Sequence, residues 1–224
     1  MNILLTNDDG YFSSGIKLLK EKLSKYGHVV IVAPKNVMSA KSVSITLGRG
    51  MEVVEIEKDV FYCDGTPADC VAFGLSSLNT KFDLVVSGCN DGFNISYDTM
   101  YSGTIGACLQ SLTYKIPAIA FSAEGNLELV EKCFDEVFKY IIDNKMLSQE
   151  YLLNVNFPIG EKTLGIKLTH IYYRDEPTYY IKNSDGTFLA VRDIKDKQCN
   201  DIDSDVHSVY NGYISITKLK KINF

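Results

Sequence analysis

Residues 2–10 read NILLTNDDG. The apolar run Ile3–Leu5 predicts a buried strand, and Gly10 permits a tight turn out of it. Two neighbouring carboxylates, Asp8 and Asp9, lie in this turn. Adjacent carboxylates repel each other and are costly to desolvate, so they persist where a cation, a proton or several donors compensate them. Because open α/β sheets bind ligands at the carboxyl ends of their strands, the pair indicates a site for a hard metal ion.

Strands and helices alternate from this stretch through about residue 142. Short apolar runs at Val29–Ala33, Leu84–Val86 and Ala118–Phe121 predict strands, and residues with helical spacing lie between them. Continuous apolar strands separated by amphipathic helices are typical of a parallel sheet covered on both faces. The sequence therefore predicts an α/β fold with a mostly parallel sheet flanked by helices.

The chain becomes rich in predicted strands after about residue 150. A turn of sequence NSDG at residues 183–186 separates Tyr179–Lys182 from Phe188–Val191, which predicts a β-hairpin. Further strands are predicted at Leu152–Phe157, Gly165–Tyr173 and Tyr213–Ile216. Two interpretations of the aromatic hairpin are open: an arm used partly for subunit contact, or a hairpin folded back on its own domain.

Composition excludes some classes of protein and supports others. The 224 residues are 46% apolar and 23% charged, with a formal net charge of -5. An acidic chain lacks the basic face that binding to duplex DNA or RNA, or to an anionic membrane, requires. The six cysteines show no C-x-x-C spacing, which favours reduced thiols in a cytoplasmic protein. We expect a cytoplasmic protein that binds neither a nucleic-acid duplex nor a membrane.

Polar residues follow several of the predicted strands. Ser39 lies in the loop after the second strand, residues 87–94 read SGCNDGFN after a later one, and Ser102-Gly103-Thr104 opens a helix. Carboxylate, hydroxyl and amide oxygens suit Mg²⁺, Mn²⁺ or Ca²⁺. A helix N-terminus with two hydroxyls favours phosphate. Taken singly, the acidic pair also fits a turn, and the Ser-Gly-Thr segment also fits a plain N-cap.

Two further aspartates are expected to have smaller roles. Asp69 lies just inside a predicted helix start, where a carboxylate complements the helix dipole. Asp91 adds a negative charge beside the predicted site, either weakening phosphate affinity or adding an outer contact to a metal ion.

Taken together, the motifs resemble those of the SurE family of stationary-phase survival proteins, which are 5′/3′-nucleotidases. The similarity follows the order of the motifs along nearly the whole chain. The matching segments are residues 3–10, Ala33-Pro34 with Ser39, residues 65–71 (GTPADCV), 87–94, 101–104 (YSGT), 154–158 (NVNFP) and 212–217 (GYISIT).

This resemblance implies roles for individual residues. One divalent cation per subunit, Mg²⁺ or Mn²⁺ with Ca²⁺ as a further candidate in a crystal, would be bound by Asp8, Asp9, Ser39 and Asn90. Asp8 and Asp9 are also the candidate catalytic residues, since either could orient or deprotonate a water. The implied phosphate contacts are Asn94, Ser102, Gly103 and Thr104.

The resemblance also implies an architecture. Residues 1–150 would form a Rossmann-like core with the metal and phosphate site, and residues 151–224 a C-terminal extension of strands and hairpin that exchanges between subunits of a homodimer or tetramer.

The function predicted from these observations is metal-dependent hydrolysis of nucleoside 5′-monophosphates, or also 3′-monophosphates. Two alternatives keep the same site: a non-catalytic nucleotide-binding module, and a phosphatase for broader phosphomonoesters or polyphosphate. A receiver domain also carries an acidic pair after its first strand. It needs a third Asp and a Lys at later strand ends, where this chain has Ser87, Asn90 and Ser122.

Overall fold

The structure, a computed structural model, describes residues 1–174, 177–192 and 199–220. In that part of the chain the helices are α1 (Ser14–Leu23), α2 (Pro67–Ser77), α3 (Asp98–Tyr101), α4 (Gly103–Thr113), α5 (Leu127–Asp143) and α6 (Asp205–Tyr210). The strands are β1 (Asn2–Thr6), β2 (His28–Pro34), β3 (Val53–Glu57), β4 (Val60–Cys63), β5 (Leu84–Asp91), β6 (Ala118–Ala123), β7 (Tyr151–Phe157), β8 (Ile166–Thr169), β9 (Thr178–Lys182), β10 (Phe188–Arg192) and β11 (Ile214–Lys220).

Nine of these strands form one sheet in the order β3-β4-β2-β1-β5-β6-β7-β11-β8. Its centre, from β4 to β7, is parallel throughout. β3 pairs antiparallel with β4, and β11 pairs antiparallel with β7. The predicted fold class, a mostly parallel sheet flanked by helices, is confirmed.

Both faces of the sheet are covered by apolar residues. Ile3 and Leu5 pack in the layer that contains α1 and α5, whereas Leu4 packs in the layer that contains α2 and α4. Successive side chains of a strand point to opposite faces, so the unbroken run Ile3–Leu5 supplies both layers. The carboxyl ends of β1, β2 and β5 therefore meet at one edge, between two helical layers.

The sheet continues past the boundary predicted at residue 150. β7, β8 and β11 extend it, and only β9 and β10 form a separate two-stranded sheet. The hairpin does not fold back on its own domain: all five residues of β9 are exposed, and Tyr180 and Phe188 are 66% and 63% accessible. Residues 175–176, 193–198 and 221–224 of the predicted extension lie outside the described part of the chain.

Three local expectations differ from the structure. The helices α3 and α6 were not predicted, because both are short and follow polar segments. β8 ends at Thr169 rather than continuing to Tyr173. At His170 the backbone N–H bonds to Asp203 and the carbonyl accepts from Asp205, so the chain leaves the sheet toward α6.

α5, at 17 residues, is longer than the other described helices. No helix in the described ranges has the length and apolar character that a bilayer crossing demands.

Candidate active site

The acidic turn after β1 is held in shape by Asn7. The Asn7 side chain donates to Gly10 O at 2.9 Å and to Ser13 Oγ at 2.8 Å, and its Oδ1 accepts from Gly10 N at 3.2 Å. Gly10 has a positive φ of 95°, a conformation that glycine adopts without strain. Sequence reasoning gave Asn7 no role, although Asn at such a position commonly bonds its own turn.

Asp8 lies against the first turn of α4. Thr104 Oγ1 donates to Asp8 Oδ1 at 2.5 Å, and both side chains are buried. A Cβ on Gly103 would lie 2.8 Å from Asp8 Cβ and 3.0 Å from its Oδ2, so only glycine allows this approach. The structure thus joins the predicted metal ligand Asp8 directly to the predicted phosphate residues Gly103 and Thr104.

Both carboxylates of the pair hold protons more tightly than usual. Burial raises the pKa of Asp8 to about 6; hydrogen bonds from Thr104 oppose this, and the charge of Asp9 adds to it. Burial also raises the pKa of Asp9; the N–H of Asp91 opposes this, and the Asp91 charge adds to it. The pair therefore carries an electrostatic cost that a positive ion would relieve.

The end of β5 brings Asn90 and Asp91 to the same edge. Asp91 N donates to Asp9 Oδ2 at 3.2 Å, which ties β5 to the first loop. The Asp91 carboxylate accepts from Gly125 N at 2.9 Å. Asn90 Nδ2 donates to Gly92 O at 2.9 Å, which orients the half-buried amide.

Ser39 lies in an exposed turn of the loop after β2. This loop is fastened on both sides of Ser39. Met38 N donates to Asp8 O at 2.7 Å, and Ser42 donates through its N–H to Tyr101 O and through its hydroxyl to Met100 O, both at 2.9 Å. The loop is thereby held between the acidic turn and the end of α3, just before α4.

The remaining predicted phosphate residues also have defined partners. Ser102 is the N-cap of α4, and its Oγ accepts from Ile105 N at 3.1 Å, which leaves the hydroxyl proton for another acceptor. Asn94 is 4% exposed, and its Nδ2 donates to Ser122 Oγ at 2.7 Å. An amide nitrogen carries two protons, so one remains for a ligand oxygen.

Asp69 has the role expected of it. It forms a capping box with Thr66 at the start of α2. Its carboxylate also accepts from Thr46 N at 2.9 Å and from Thr46 Oγ1 at 2.6 Å. Burial raises the pKa of Asp69, but these bonds outweigh burial and hold the pKa below its usual value. Asp69 fastens the far part of the loop that carries Ser39.

The residues at this edge fit a divalent cation. Asp8 and Asp9 form no ion pair with a Lys, Arg or His side chain in the described part of the chain. Within the same ranges, no three His, Cys, Asp or Glu side chains are grouped closely enough to hold a metal ion. A cation here would combine two carboxylates with neutral oxygens, a set that suits Mg²⁺ or Mn²⁺ better than zinc.

A cleft of about 440 Å³ opens beside Asp9. It lies between the N-termini of α1 and α5 and is within the size range of small-ligand sites. Its lining residues are Asp9, Ser13, Ser14, Gly15, Cys89, Asp91, Gly125, Leu127 and Glu128.

We expect Asp8→Asn to stabilise the metal-free protein at neutral pH. The raised pKa means that the folded state binds the Asp8 proton more tightly than the unfolded chain, so metal-free stability falls as pH rises from about 4 to about 6. Asn removes the buried charge and still accepts from Thr104. The gain at pH 7 is up to about 3 kcal/mol, at about 1.4 kcal/mol per pKa unit.

Urea unfolding of chelator-treated protein at pH 4 and pH 7 measures this gain. Asp83→Asn is the matched control, because Asp83 accepts from Asn2 N at the opposite edge of the sheet and is exposed. Equal stability of wild type and Asp8→Asn at pH 7 would contradict the expectation.

The fold and site define a class: a Rossmann-like α/β protein with an acidic pair and a helix N-terminus gathered at the carboxyl edge of its sheet. Comparison with known proteins narrows this class. The Survival protein SurE family matches residues 3–177.

Curated relatives named 5'-nucleotidase SurE match almost the whole chain. The protein from Acinetobacter baylyi is 38% identical, covering 98% of this chain and 93% of its own length. The protein from Clostridium botulinum strain Alaska E43 is 35% identical with the same coverage. The crystal structure of the SurE protein from Aquifex aeolicus superposes with a TM-score of 0.86 at 33% identity, covering 100% of this chain and 95% of that one. The chain belongs to the SurE family.

Proposed function

We propose that this protein is a divalent-metal-dependent 5′-nucleotidase that hydrolyses nucleoside monophosphates to nucleoside and phosphate. The observation that carries the proposal is the contact between Asp8 and the first turn of α4, through Thr104 Oγ1 at 2.5 Å. An acidic pair that favours a cation and a helix N-terminus that favours phosphate are thus direct neighbours. The names of the curated relatives support the same activity.

Each residue has a part in this proposal. Asp8, Asp9, Ser39 and Asn90 are the oxygen ligands proposed for one Mg²⁺ or Mn²⁺ per subunit. Such a cation, when bound, neutralises phosphate charge and lowers the pKa of bound water. Asp9 lines the open cleft, which supports it as the carboxylate that orients the attacking water and accepts its proton.

The N-terminus of α4 is the proposed phosphate site. Ser102 has a hydroxyl proton to donate, and Gly103 contributes a backbone N–H in the first turn, where the helix has no internal acceptor for it. Asn94 contributes its second amide proton. Donors fixed before substrate arrives stabilise the charge of the transferring phosphoryl group without reorganisation.

A phosphate-release assay on a panel of 5′- and 3′-nucleoside monophosphates, with Mn²⁺, with Mg²⁺ and after chelation, tests the function. The proposal expects release that requires the cation and is greatest for nucleoside monophosphates. Faster release from polyphosphate or simple phosphomonoesters would favour the broader phosphatase. Tight nucleotide binding with no release would favour the non-catalytic module.

We also propose that the hairpin β9–β10 mediates self-association. Five large side chains on this two-stranded sheet, Tyr179, Tyr180, Ile181, Phe188 and Leu189, are 45–66% exposed. An isolated hairpin is at best marginally stable, and a contiguous exposed apolar surface commonly marks an interface.

Light scattering at micromolar concentration should give at least a dimer mass. Replacing residues 178–191 with a short turn should give a smaller species whose main sheet is retained, because that sheet contains no residue of the hairpin. A monomer mass for the full chain would refute the assembly proposal.

A further inference from the structure

The sequence NVNFP at residues 154–158 places two buried asparagines, Asn154 and Asn156, near the carboxyl end of β7. Both are 0% exposed. The proposed mechanism gives them no task. A buried carboxamide must satisfy up to four hydrogen bonds, so its partners show what it holds.

Their partner is the backbone of Asn94. Asn156 Oδ1 accepts from Asn94 N at 2.8 Å, and Asn156 Nδ2 donates to Asn94 O at 3.1 Å. Asn154 Nδ2 donates to the same carbonyl at 2.7 Å. The two side chains also bond each other, Asn156 Nδ2 to Asn154 Oδ1 at 3.3 Å. One carboxamide thus pairs with both main-chain groups of Asn94, as a neighbouring strand would.

The side chain of Asn94 is fixed by the neighbouring strand β6. Asn94 Nδ2 donates to Ser122 Oγ at 2.7 Å, and Ser122 is the register partner of Asn156 in the pairing of β6 with β7. The clamp formed by Asn154 and Asn156 therefore sets the backbone of Asn94, and Ser122 sets its amide plane. Both the backbone and the side-chain amide of Asn94 are therefore held by hydrogen bonds from neighbouring strands.

We infer that Asn156, supported by Asn154, is a positioning residue that holds Asn94 for the phosphoryl group of the substrate. This rests on the proposed function only in taking Asn94 as a phosphate contact. Asn94 lies three residues beyond the end of β5 and outside the pairing of β5 with β6, and its N–H and C=O bond the side chains of Asn156 and Asn154 instead. The side chains of Asn154 and Asn156 on β7 provide the rigid support that a binding group requires.

The experiment is a double-substitution cycle on Asn94→Ala and Asn156→Leu, read out by calorimetric binding of inorganic phosphate in the presence of Mn²⁺. Asn156→Leu keeps the approximate volume and removes both hydrogen bonds to residue 94. We expect it to weaken phosphate binding about tenfold or more, the effect of losing a hydrogen bond to a charged ligand. In the Asn94→Ala background the same substitution should change binding by about twofold or less, because residues that act as one unit are not additive.

Ser215→Ala is the matched control. Ser215 is the register partner of Asn156 on β11, is equally buried, and bonds Thr169 Oγ1 at 2.7 Å. Ser215→Ala should lower the unfolding temperature about as much as Asn156→Leu does. It should leave phosphate affinity within about twofold of wild type, as expected for an independent site. The Mn²⁺ concentration for half-maximal binding should stay the same in all variants, because Asn94 is not among the proposed metal ligands.

Three outcomes are decisive. Unchanged phosphate affinity in Asn156→Leu overturns the inference, and so does an equal loss in the wild-type and Asn94→Ala backgrounds. Phosphate binding that depends on Asn156 in a protein that releases no phosphate from nucleotides upholds the inference and refutes the proposed function. A wild-type protein that neither binds nor releases phosphate refutes both.

Discussion

Asp8→Asn and Asp9→Asn should each lower phosphate release from a nucleoside monophosphate by about 10³-fold or more at ordinary Mn²⁺ concentrations. Metal-ion stabilisation of the transition state is worth several kcal/mol, and each 1.4 kcal/mol is about a factor of ten in rate. Each substitution removes one of the two anionic ligands proposed for the cation while keeping the shape of the side chain. Asn at position 8 still accepts from Thr104, so the fold at the acidic turn is retained.

Steady-state phosphate release over a Mn²⁺ titration measures this effect. The Asp83→Asn variant should match the wild type, because Asp83 bonds Asn2 N at the amino end of the same strands. Rates within about tenfold of wild type for both Asp variants would contradict a cation-centred mechanism, since loss of a metal-ion interaction costs far more than this. Undiminished activity after verified removal of divalent cations would contradict it independently.

Ser102→Ala should lower turnover by about 10²-fold, the usual effect of removing one donor aimed at transition-state charge. Thr104→Val should also lower turnover, but through Asp8, whose carboxylate accepts the Thr104 proton. The two variants should differ in their response to Mn²⁺. Within the described part of the chain, the Ser102 hydroxyl bonds only Ile105 N of α4, so Ser102→Ala should leave the Mn²⁺ dependence unchanged. Thr104 donates to Asp8, so Thr104→Val should also raise the Mn²⁺ concentration required for activity.

Turnover and Mn²⁺ activation, measured together, separate these two roles. Thr113→Ala is the matched control, because Thr113 closes the other end of α4 and its hydroxyl bonds Gln110 O at an exposed position. If Ser102→Ala shifts the Mn²⁺ dependence as strongly as Thr104→Val, the proposed division of the site between cation and phosphate is wrong.

The central fold was predictable because its physical signals are local. The run Ile3–Leu5 and the equally apolar centres of β2, β5 and β6 have the continuous hydrophobicity of strands buried on both faces. The long helix α5 has a regular apolar stripe. Because parallel strands end at the same edge, the segments that follow them were expected to meet, and the contact of Asp8 with Thr104 shows this for two of them.

Contacts between distant residues could not be read from spacing. Asn154 and Asn156 stand in a strand pattern, and nothing in their sequence neighbourhood shows that they bind the backbone of Asn94, about 60 residues away. The helix α6 is only six residues long, and its buried Asp205 accepts hydrogen bonds from Ser96 N and Tyr172 N. Such short elements are stabilised by tertiary contacts rather than by intrinsic propensity.

The hydroxyl of Thr104 shows what the sequence could not predict within the site itself. A Ser-Gly-Thr segment at a helix start predicts donors that face a ligand. In the structure the Thr104 proton is directed to Asp8, whereas the Ser102 proton is not used by its cap hydrogen bond. The residue types determine which donors are available. The close packing of Gly103 against Asp8 determines that Thr104 contacts the acidic turn.

Anomalous diffraction from crystals grown with Mn²⁺ and inorganic phosphate tests the account most directly. We expect one strong Mn²⁺ peak per subunit within bonding distance of carboxylate oxygens of both Asp8 and Asp9, with phosphate density between that peak and the N-terminus of α4. A Mn²⁺ peak bound elsewhere, with Asp8 and Asp9 contacting no metal at saturating concentration, would contradict it.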